Sequence, residues 1–370
     1  MTPVSKEMLQ EVLAAYAFHG TLLSCAPHGK GHINDTFLLS FDIYGMGRLH
    51  VILQRINTDI FQAPEKLMEN VIGVTAFLHK KIDAAGGDSS RETLTLIPTK
   101  DGQLYYRSPA GSFWRAYQFI TDAVCYESVK RPEDFYESGR MFGNFQRQLA
   151  DYPVDSLHEI IPGFHDTRMR FGQFEKACGE DACGRARDVA AEIADARSFE
   201  RLCDIFPPLI ASGELPLRVT HNDTKLNNLM FDNRTGKGLC VMDLDTIMPG
   251  LLAYDFGDAI RFGANTAEED ETDLSLVSLD CKLFETYVSG FISGCAGAMT
   301  KREQELLPEG ALVMTYENGL RFLTDYLAGD VYFKTDYPRH NLDRCRTQFA
   351  LLKDMERMLP SMHACVRRDD

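Results

Sequence analysis

The sequence predicts an α/β protein of the α+β type, with a small β-rich lobe over 1–120 and a larger, mainly helical lobe over 121–370. A length of 370 residues exceeds what one small core can organise, which favours two domains or lobes. Short apolar runs separated by glycine-bearing turns fill the first part of the chain, whereas helical periodicities dominate beyond residue 121. Apolar residues make up 44% and charged residues 25%, the balance of an ordinary globular enzyme.

The β-rich lobe begins with an amphipathic helical pattern over 4–18. One long helical pattern over 64–82 interrupts the strand signals, with Pro64 in its first turn and Leu67, Val71 and Leu78 on one face. Strands are expected at 22–26, 36–41, 49–55, 94–98, 104–107 and 113–120.

Helical patterns define the second lobe. They are expected at 133–150, 184–206, 277–293 and 341–358. Three short strands are expected at 218–220, 228–231 and 239–243, and the turn over 233–238 joins the last two as a hairpin.

Charge and cysteine usage restrict the partners and the compartment. The formal net charge of −15 repels phosphate backbones and anionic membranes, so neither nucleic acid nor membrane is expected as a partner. The ten cysteines include no C-x-x-C pair and match no metal-site spacing. The N-terminus lacks the apolar core of a signal peptide, and no apolar run reaches the roughly 18 residues of a membrane span. We therefore expect a cytoplasmic protein with reduced thiols, with a monomer favoured.

Two apolar runs each end in a polar cluster that holds a carboxylate. The first cluster contains His221, Asp223, Lys225 and Asn228, and the second contains Asp243, twenty residues after Asp223 and across the predicted hairpin. Carboxylates, amides and a lysine that converge in this way suit a divalent cation and a polyanionic substrate. A lone His-x-Asp is most often structural, but the amide, the lysine and the hairpin together favour a kinase site.

The spacing Asp, +2 Lys, +5 Asn resembles the catalytic loop of protein kinases. Phosphoryl transfer needs a carboxylate at the hydroxyl proton, an Asp and an Asn on the metal, and cations near the moving phosphoryl group. We predict Asp223 as the catalytic base, Asn228 and Asp243 as metal ligands, and Lys225 as a contact to the transferred phosphate. His221 is predicted to brace the loop through hydrogen bonds.

The tripeptide Asp255-Phe256-Gly257 spells the metal motif of protein kinases, but it follows Asp223 by 32 residues. Asp243 has the better spacing and strand context for metal binding. We therefore expect Asp255 to give structural support by accepting hydrogen bonds from the catalytic segment, with Asp258 nearby.

With these residues in hand, the chain resembles the aminoglycoside phosphotransferase and choline kinase superfamily, which has a protein-kinase-like bilobal fold. Within it the chain is most similar to the N-acetylhexosamine 1-kinases of amino sugar salvage, and the similarity runs nearly end to end. The strings that carry the resemblance are 28–34, 218–228, 243–250, 255–258, 260–263 and 319–327.

The resemblance implies ATP, Mg²⁺ and transfer of the γ-phosphate to the anomeric (C1) hydroxyl of N-acetylglucosamine or N-acetylgalactosamine. It also implies substrate contacts from His32, Asp223, Phe262, Arg321 and Tyr332. Without the resemblance, Arg321 could equally form a structural ion pair, and Tyr332 could be a packing residue.

Nucleotide contacts are expected at Gly29 and Gly31, which lie in a turn between two strands, and at the segment Gln118, Phe119 and Ile120, where a kinase hinge would meet adenine.

The chain departs from the superfamily's pattern at the third strand, where the superfamily usually places a lysine or arginine toward the nucleotide phosphates. Here Gln54 occupies that position, and Arg55 should point to the opposite face because side chains alternate along a strand. Glu69 on the following helix is a candidate for the usual glutamate partner.

Alternatives remain open at the sequence level. A kinase of another small alcohol, such as choline, homoserine or an aminoglycoside, shares the catalytic motif. An inactive nucleotide-binding pseudokinase is motivated by Gln54, although Asp223, Asn228 and Asp243 argue against it. A protein kinase is disfavoured because Asn222 replaces the usual arginine. The preference between the two N-acetylhexosamine epimers stays open.

Overall fold

The computed structural model describes residues 3–29, 33–45 and 47–367. The chain opens with helix α1 (Lys6–Ala15), whose N-cap residue Ser5 accepts a hydrogen bond from the backbone N–H of Met8. The helix packs Val12, which is fully buried, against the sheet that follows.

Five antiparallel strands form the N-terminal sheet in the order β1-β2-β3-β5-β4. Their bounds are β1 Thr21–Pro27, β2 Asp35–Ile43, β3 Gly47–Arg55, β4 Tyr106–Arg107 and β5 Phe113–Gln118. Helices α2 (Pro64–Ala84) and α3 (Ser89–Glu92) come between β3 and β4.

The predicted strand over 94–98 is wrong. Only an isolated bridge from Leu96 to Tyr117 and two backbone hydrogen bonds, Ile97 N to Ala116 O and Gln118 N to Thr95 O, run beside β5. Pro98 has no N–H to continue the ladder, and the chain turns directly afterwards.

Two small sheets and nine helices complete the described fold. The sheets pair β6 (Ala123–Val124), β8 (Leu229–Asp232) and β9 (Gly238–Val241) in the order β6-β8-β9, and β7 (Arg218–Thr220) with β10 (Met248–Gly250). The helices are α4 Pro132–Gln148, α5 Thr167–Glu180, α6 Ala190–Ser198, α7 Pro207–Ala211, α8 Leu252–Gly263 and α9 Cys281–Cys295. After them come α10 Lys301–Glu305, α11 Leu307–Ala328 and α12 His340–Arg367.

The helix predicted over 184–206 is broken into three pieces. A 3₁₀ turn at Ala186–Val189 leads into α6, and a second 3₁₀ turn follows at Glu200–Asp204. Phe199 and Leu202 are both buried, and their three-residue spacing matches the period of the 3₁₀ turn that places them against the core.

Two separate apolar cores hold the fold together. The smaller core joins α1 to the N-terminal sheet around Trp114, and the larger one unites α2 with the helical part. Because Leu67 of α2 and Leu226 near the catalytic segment belong to the same cluster, α2 is packed into the helical part. The lobe boundary at residue 120 stays a prediction.

Helices α4 and α9 approach to backbone contact. A Cβ atom on Gly143 would lie 2.2 Å from the carbonyl oxygen of Phe291, and one on Gly294 would lie 2.2 Å from that of Arg140. This close crossing fixes α4, which carries Gln146 toward the centre of the helical part. Of the helices in the described ranges, none combines the length and the apolar character needed to cross a bilayer.

Candidate active site

The catalytic segment is pinned at both ends by short antiparallel pairings. Thr220 at the end of β7 is paired with Met248 of β10, and Met242 N–H donates to Asn228 O at 2.9 Å, which ties the loop to the end of β9. The backbone takes left-handed φ values of 64° at Asn222 and 58° at Asp243. Asn and Asp tolerate this conformation better than most residues, and it turns the chain at both places.

Asp223, Lys225 and Asn228 form one contact group. Lys225 Nζ lies 3.1 Å from Asp223 Oδ1, and Asn228 Nδ2 donates to Asp223 Oδ2 at 2.9 Å and to its backbone oxygen at 2.8 Å. Burial alone would raise the pKa of Asp223, but the Lys225 charge and these hydrogen bonds outweigh it and hold the pKa below its ordinary value. Asp223 is therefore a carboxylate at neutral pH, and it is half-exposed.

His221 is fully buried and joins the loop to β9. Its Nε2 lies 2.8 Å from the carbonyl oxygen of Met242, and its Nδ1 lies 3.3 Å from the backbone nitrogen of Asp223. A neutral ring protonated on Nε2 satisfies both contacts, since Nδ1 then accepts the Asp223 N–H. The edges of Phe142 and Phe145 pack against the ring. These contacts suit the predicted bracing role and leave the ring no proton-transfer task.

Asp243 stands at the end of β9 beside other acids. Burial of its carboxylate and the nearby charges of Asp245 and Asp223 raise its pKa well above the ordinary value, although the residue as a whole is exposed. An open position crowded by like charges is one where a cation would be stabilised.

The residues present fit a hard divalent cation. The side-chain amide nitrogen of Asn228 donates to Asp223. The amide oxygen of Asn228 can therefore bind a cation beside the carboxylates of Asp243 and Asp223. Among the residues that the structure describes, no group of three or more His, Cys, Asp or Glu side chains is arranged as a metal site. This arrangement suits Mg²⁺, which takes one or two protein oxygens and its remaining ligands from substrate phosphates and water.

Asp255 is buried in α8 and holds the catalytic segment from behind. Its carboxylate accepts the backbone N–H groups of His221 at 2.9 Å and Asn222 at 2.8 Å, together with the side-chain amide of Gln146 at 2.8 Å. Asp258, one turn later, accepts the backbone N–H of Thr224 at 2.9 Å. The interpretation of Asp255 as structural support rests on these contacts.

The segments that follow β1 and β5 hold the nucleotide-side candidates and approach each other through two aromatic rings. Gly29 has a left-handed φ of 78°, and the ring of its neighbour His28 lies 6.1 Å from that of Phe119. Gln118 and Phe119 are half-buried, and Ile120 is buried. Gly31 lies outside the described residues.

Gln54 does not stand alone on the third strand. Its amide donates to Thr36 Oγ1 at 3.0 Å, and its Oε1 accepts from Arg115 Nε at 3.1 Å. Arg115 also pairs with Asp245, at 2.5 Å between Nη1 and Oδ1. Neither Arg115 nor Asp245 was predicted from the sequence, although an arginine within the apolar strand 113–118 was a visible signal. Glu69 is not their partner, because it pairs with His158 at 2.5 Å.

The acceptor-side candidates Arg321 and Tyr332 lie together. The Arg321 guanidinium carbon is 5.9 Å from the ring centroid of Tyr332, 5.3 Å from that of Phe164 and 5.4 Å from that of Phe333. Phe164 and Phe333 were not anticipated from the sequence.

The remaining acceptor-side candidates are less well placed. Phe262 is half-buried on α8, and His32 lies outside the described residues. Across the described ranges, no hydrogen bond or ion pair joins Phe262, Arg321 or Tyr332 to Asp223.

The loop that presents Tyr332 is built on one buried carboxylate. Asp325 accepts the backbone N–H groups of Val331, Tyr332 and Phe333 at 2.8–2.9 Å and the side-chain amide of Asn341 at 2.9 Å. Tyr332 is thereby held in place although its side chain is exposed.

A cavity of about 190 Å³ lies away from this chemistry, between α2, α4 and β9. Leu78, Arg140, Phe145 and Leu239 are among its lining residues, and none of the candidate site residues is.

Comparison with known proteins matches residues 24–277 to the phosphotransferase enzyme family. The chain belongs to this family. The expected transferase and phosphotransferase class is therefore confirmed at that level.

Solved structures match this phosphotransferase along nearly its whole length. A microcompartment-associated aminopropanol kinase is 18% identical with a TM-score of 0.62, covering 97% of this chain and 99% of its own. An aminoglycoside phosphotransferase from Alicyclobacillus acidocaldarius is 12% identical with a TM-score of 0.64, covering 100% and 98%. Amicoumacin kinase bound to AMP-PNP and Ca²⁺ is 10% identical with a TM-score of 0.58, covering 94% and 93%. The predicted protein-kinase-like fold, with its small sheet and larger helical part, is confirmed.

Proposed function

We propose that this phosphotransferase is an ATP- and Mg²⁺-dependent kinase that transfers the γ-phosphate to the anomeric hydroxyl of N-acetylhexosamines. The observation that carries the kinase activity is the grouping of Asp223, Lys225 and Asn228 next to Asp243. The choice of acceptor is supported by the positive charge of Arg321 and by the resemblance to N-acetylhexosamine 1-kinases described in the sequence analysis.

Asp223 is the base that orients the acceptor hydroxyl. It is ionised because Lys225 and Asn228 stabilise its carboxylate, and its half-exposure leaves room for a hydroxyl to approach. The anomeric hydroxyl of a sugar is more acidic than an ordinary alcohol, so a carboxylate of low pKa is a sufficient partner. Lys225 lies where its charge can offset the charge of a phosphoryl group moving toward that hydroxyl.

Asn228 and Asp243 are the residues that would hold Mg²⁺. When bound, the ion neutralises charge on the triphosphate and fixes it for in-line transfer. Its binding is supported by the acidic surroundings of Asp243, where a cation would offset the repulsion from Asp245 and Asp223.

ATP as phosphoryl donor is supported by the family and by the AMP-PNP complex of the similar amicoumacin kinase. In this chain the adenine ring of ATP would lie against Gln118, Phe119 and Ile120, and the triphosphate would run past Gly29 toward the catalytic segment.

The acceptor site favours a neutral sugar over a cationic amine. In the described ranges no carboxylate lies within ion-pair distance of Arg321, whose guanidinium is framed by three aromatic rings. A choline, ethanolamine or aminoglycoside acceptor would meet this positive charge unfavourably. Hydroxyl and acetamide oxygens would instead accept its hydrogen bonds, and the exposed ring of Tyr332 can pack on a sugar face.

A panel of acceptors tests the proposal. ADP release is measured with N-acetylglucosamine, N-acetylgalactosamine, their non-acetylated parents, choline, ethanolamine, homoserine and an aminoglycoside, and products are identified by ³¹P and ¹H NMR. The expected result is a phosphorus-coupled anomeric proton with the N-acetylated sugars and no turnover of the amines. Phosphorylation of an amino alcohol alone would assign the rival specificity, and absence of turnover with any acceptor would favour the inactive nucleotide-binding module.

A further inference from the structure

At position 54 of the third strand, the superfamily that the chain resembles usually has a cation directed toward the nucleotide phosphates. Gln54 replaces it, and the adjacent Arg55 points to the opposite face, where its Nε donates to Asp35 Oδ2 at 2.8 Å and its guanidinium lies 5.9 Å from the Trp114 ring. Arg55 is thus held in the small core, away from the catalytic segment.

A buried arginine stands next to this gap on the neighbouring strand. Arg115 of β5 is the register partner of Gln54 in β3, so the two side chains lie side by side on one face of the sheet. Nε of Arg115 donates to Gln54 Oε1 at 3.1 Å. The guanidinium therefore occupies the space beside the position where a third-strand lysine would extend.

Arg115 points toward the metal-binding segment. Its Nη1 lies 2.5 Å from Oδ1 of Asp245, two residues beyond Asp243, and Asn34 of the β1–β2 connection donates to Oδ2 of the same carboxylate at 2.6 Å. The positive charge thus sits where the sheet, the β1–β2 connection and the catalytic segment meet.

Helix α2 supplies no acid to this cation. Glu69 pairs with His158, Glu65 lies near Arg107 at 3.7 Å, and the α2 residue that meets Arg115 is Met68, with 4.0 Å between Nη1 and Sδ. The anionic partner is therefore Asp245, from the segment after β9.

We propose that Arg115, paired with Asp245, supplies the positive charge that holds the nucleotide phosphates next to Asp243. This inference rests on the proposed function, because it assigns a phosphate-binding residue to the same nucleotide site. Arg115 and Asp245 side chains are 1% and 4% exposed, and a charge so shielded from water acts strongly on a nearby phosphate. A buried ion pair is a poor way to gain stability alone, which favours a functional reason for its presence.

The test measures the affinities of ADP and of adenosine, which lacks phosphates, by calorimetry. Mg²⁺ is left out so that metal binding does not contribute to either affinity. R115Q is expected to weaken ADP binding about tenfold or more while adenosine affinity changes less than about twofold. D245N removes the partner but keeps the arginine, so it should retain the preference for ADP. The double variant Q54K/R115Q returns a cation to the third strand and should regain much of the preference.

R55Q is the matched control, because it breaks an arginine–aspartate pair on the opposite face of the same sheet and should leave the ADP preference unchanged. If R115Q does not fold, the double variant D245N/R115Q is compared with D245N. In the double variant the Asp245 carboxylate is absent, so the loss of Arg115 leaves no buried acid without its partner. A folded variant without Arg115 that keeps the wild-type preference for ADP overturns the inference, as does equal loss of preference in D245N. Wild-type protein that binds neither ligand would instead overturn the proposed function.

Discussion

Replacement of Asp255 by alanine should lower stability far more than an ordinary surface change. The carboxylate accepts three hydrogen bonds, from His221 N, Asn222 N and Gln146 Nε2, and it is 1% exposed. Each buried donor left without an acceptor costs roughly 1–3 kcal/mol. Part of this is offset, because burial raises the pKa of Asp255 and the charged carboxylate is itself costly to bury. The net loss in the free energy of unfolding should be about 4 kcal/mol.

Urea unfolding followed by far-UV circular dichroism measures this loss. Asp280→Ala is the matched control, since Asp280 also accepts two backbone N–H groups, but as the N-cap of α9 near the surface, where the cost is about 1 kcal/mol. The Mg²⁺ concentration that gives half-maximal activity should stay near the wild-type value in folded Asp255→Ala. A stability loss no larger than that of Asp280→Ala, together with a large shift in Mg²⁺ dependence, would refute the reasoning and exchange the roles of Asp255 and Asp243.

Three further predictions concern the proposed site itself. Asp223→Asn should fold with an unchanged melting temperature but lower kcat by about 10²–10⁴-fold, and near wild-type turnover would remove Asp223 from the mechanism. Asp243→Asn should abolish Mg²⁺-dependent activity while raising the melting temperature without Mg²⁺, because it relieves repulsion from neighbouring acids; a lower melting temperature would contradict the like-charge argument. Arg321→Ala should raise KM for N-acetylhexosamine about tenfold, equivalent to ~1.4 kcal/mol, and leave KM for ATP unchanged in steady-state kinetics. An unaltered sugar KM would exclude Arg321 from the acceptor site.

Local signals in the sequence predicted the elements that frame the site. Pro64 and the apolar face of the following residues predicted both ends of α2 to within two residues. The turn over 233–238 predicted the β8–β9 hairpin. The polar clusters at the strand ends placed Asp223, Lys225 and Asn228 in one contact group because turns and short strands are encoded locally.

Contacts between distant segments could not be predicted in the same way. The pairing of Arg115 with Asp245 joins residues 130 positions apart, and nothing in either local pattern specifies the partner. The frame of Phe164, Tyr332 and Phe333 around Arg321 likewise depends on how α5, α11 and the following loop pack. Tertiary packing also determined the secondary structure of residues 184–206, where buried side chains at uneven spacing break a continuous helix.

The two separate cores have a consequence for how unfolding is observed. Trp114, the one tryptophan of the sequence, is fully buried in the smaller core, whereas most helices pack in the larger one. Its emission therefore reports the sheet, while the far-ultraviolet signal reports the helices. If the sheet opens first, fluorescence will shift at a lower temperature than ellipticity, and a nucleotide that bridges both regions should draw the two transitions together.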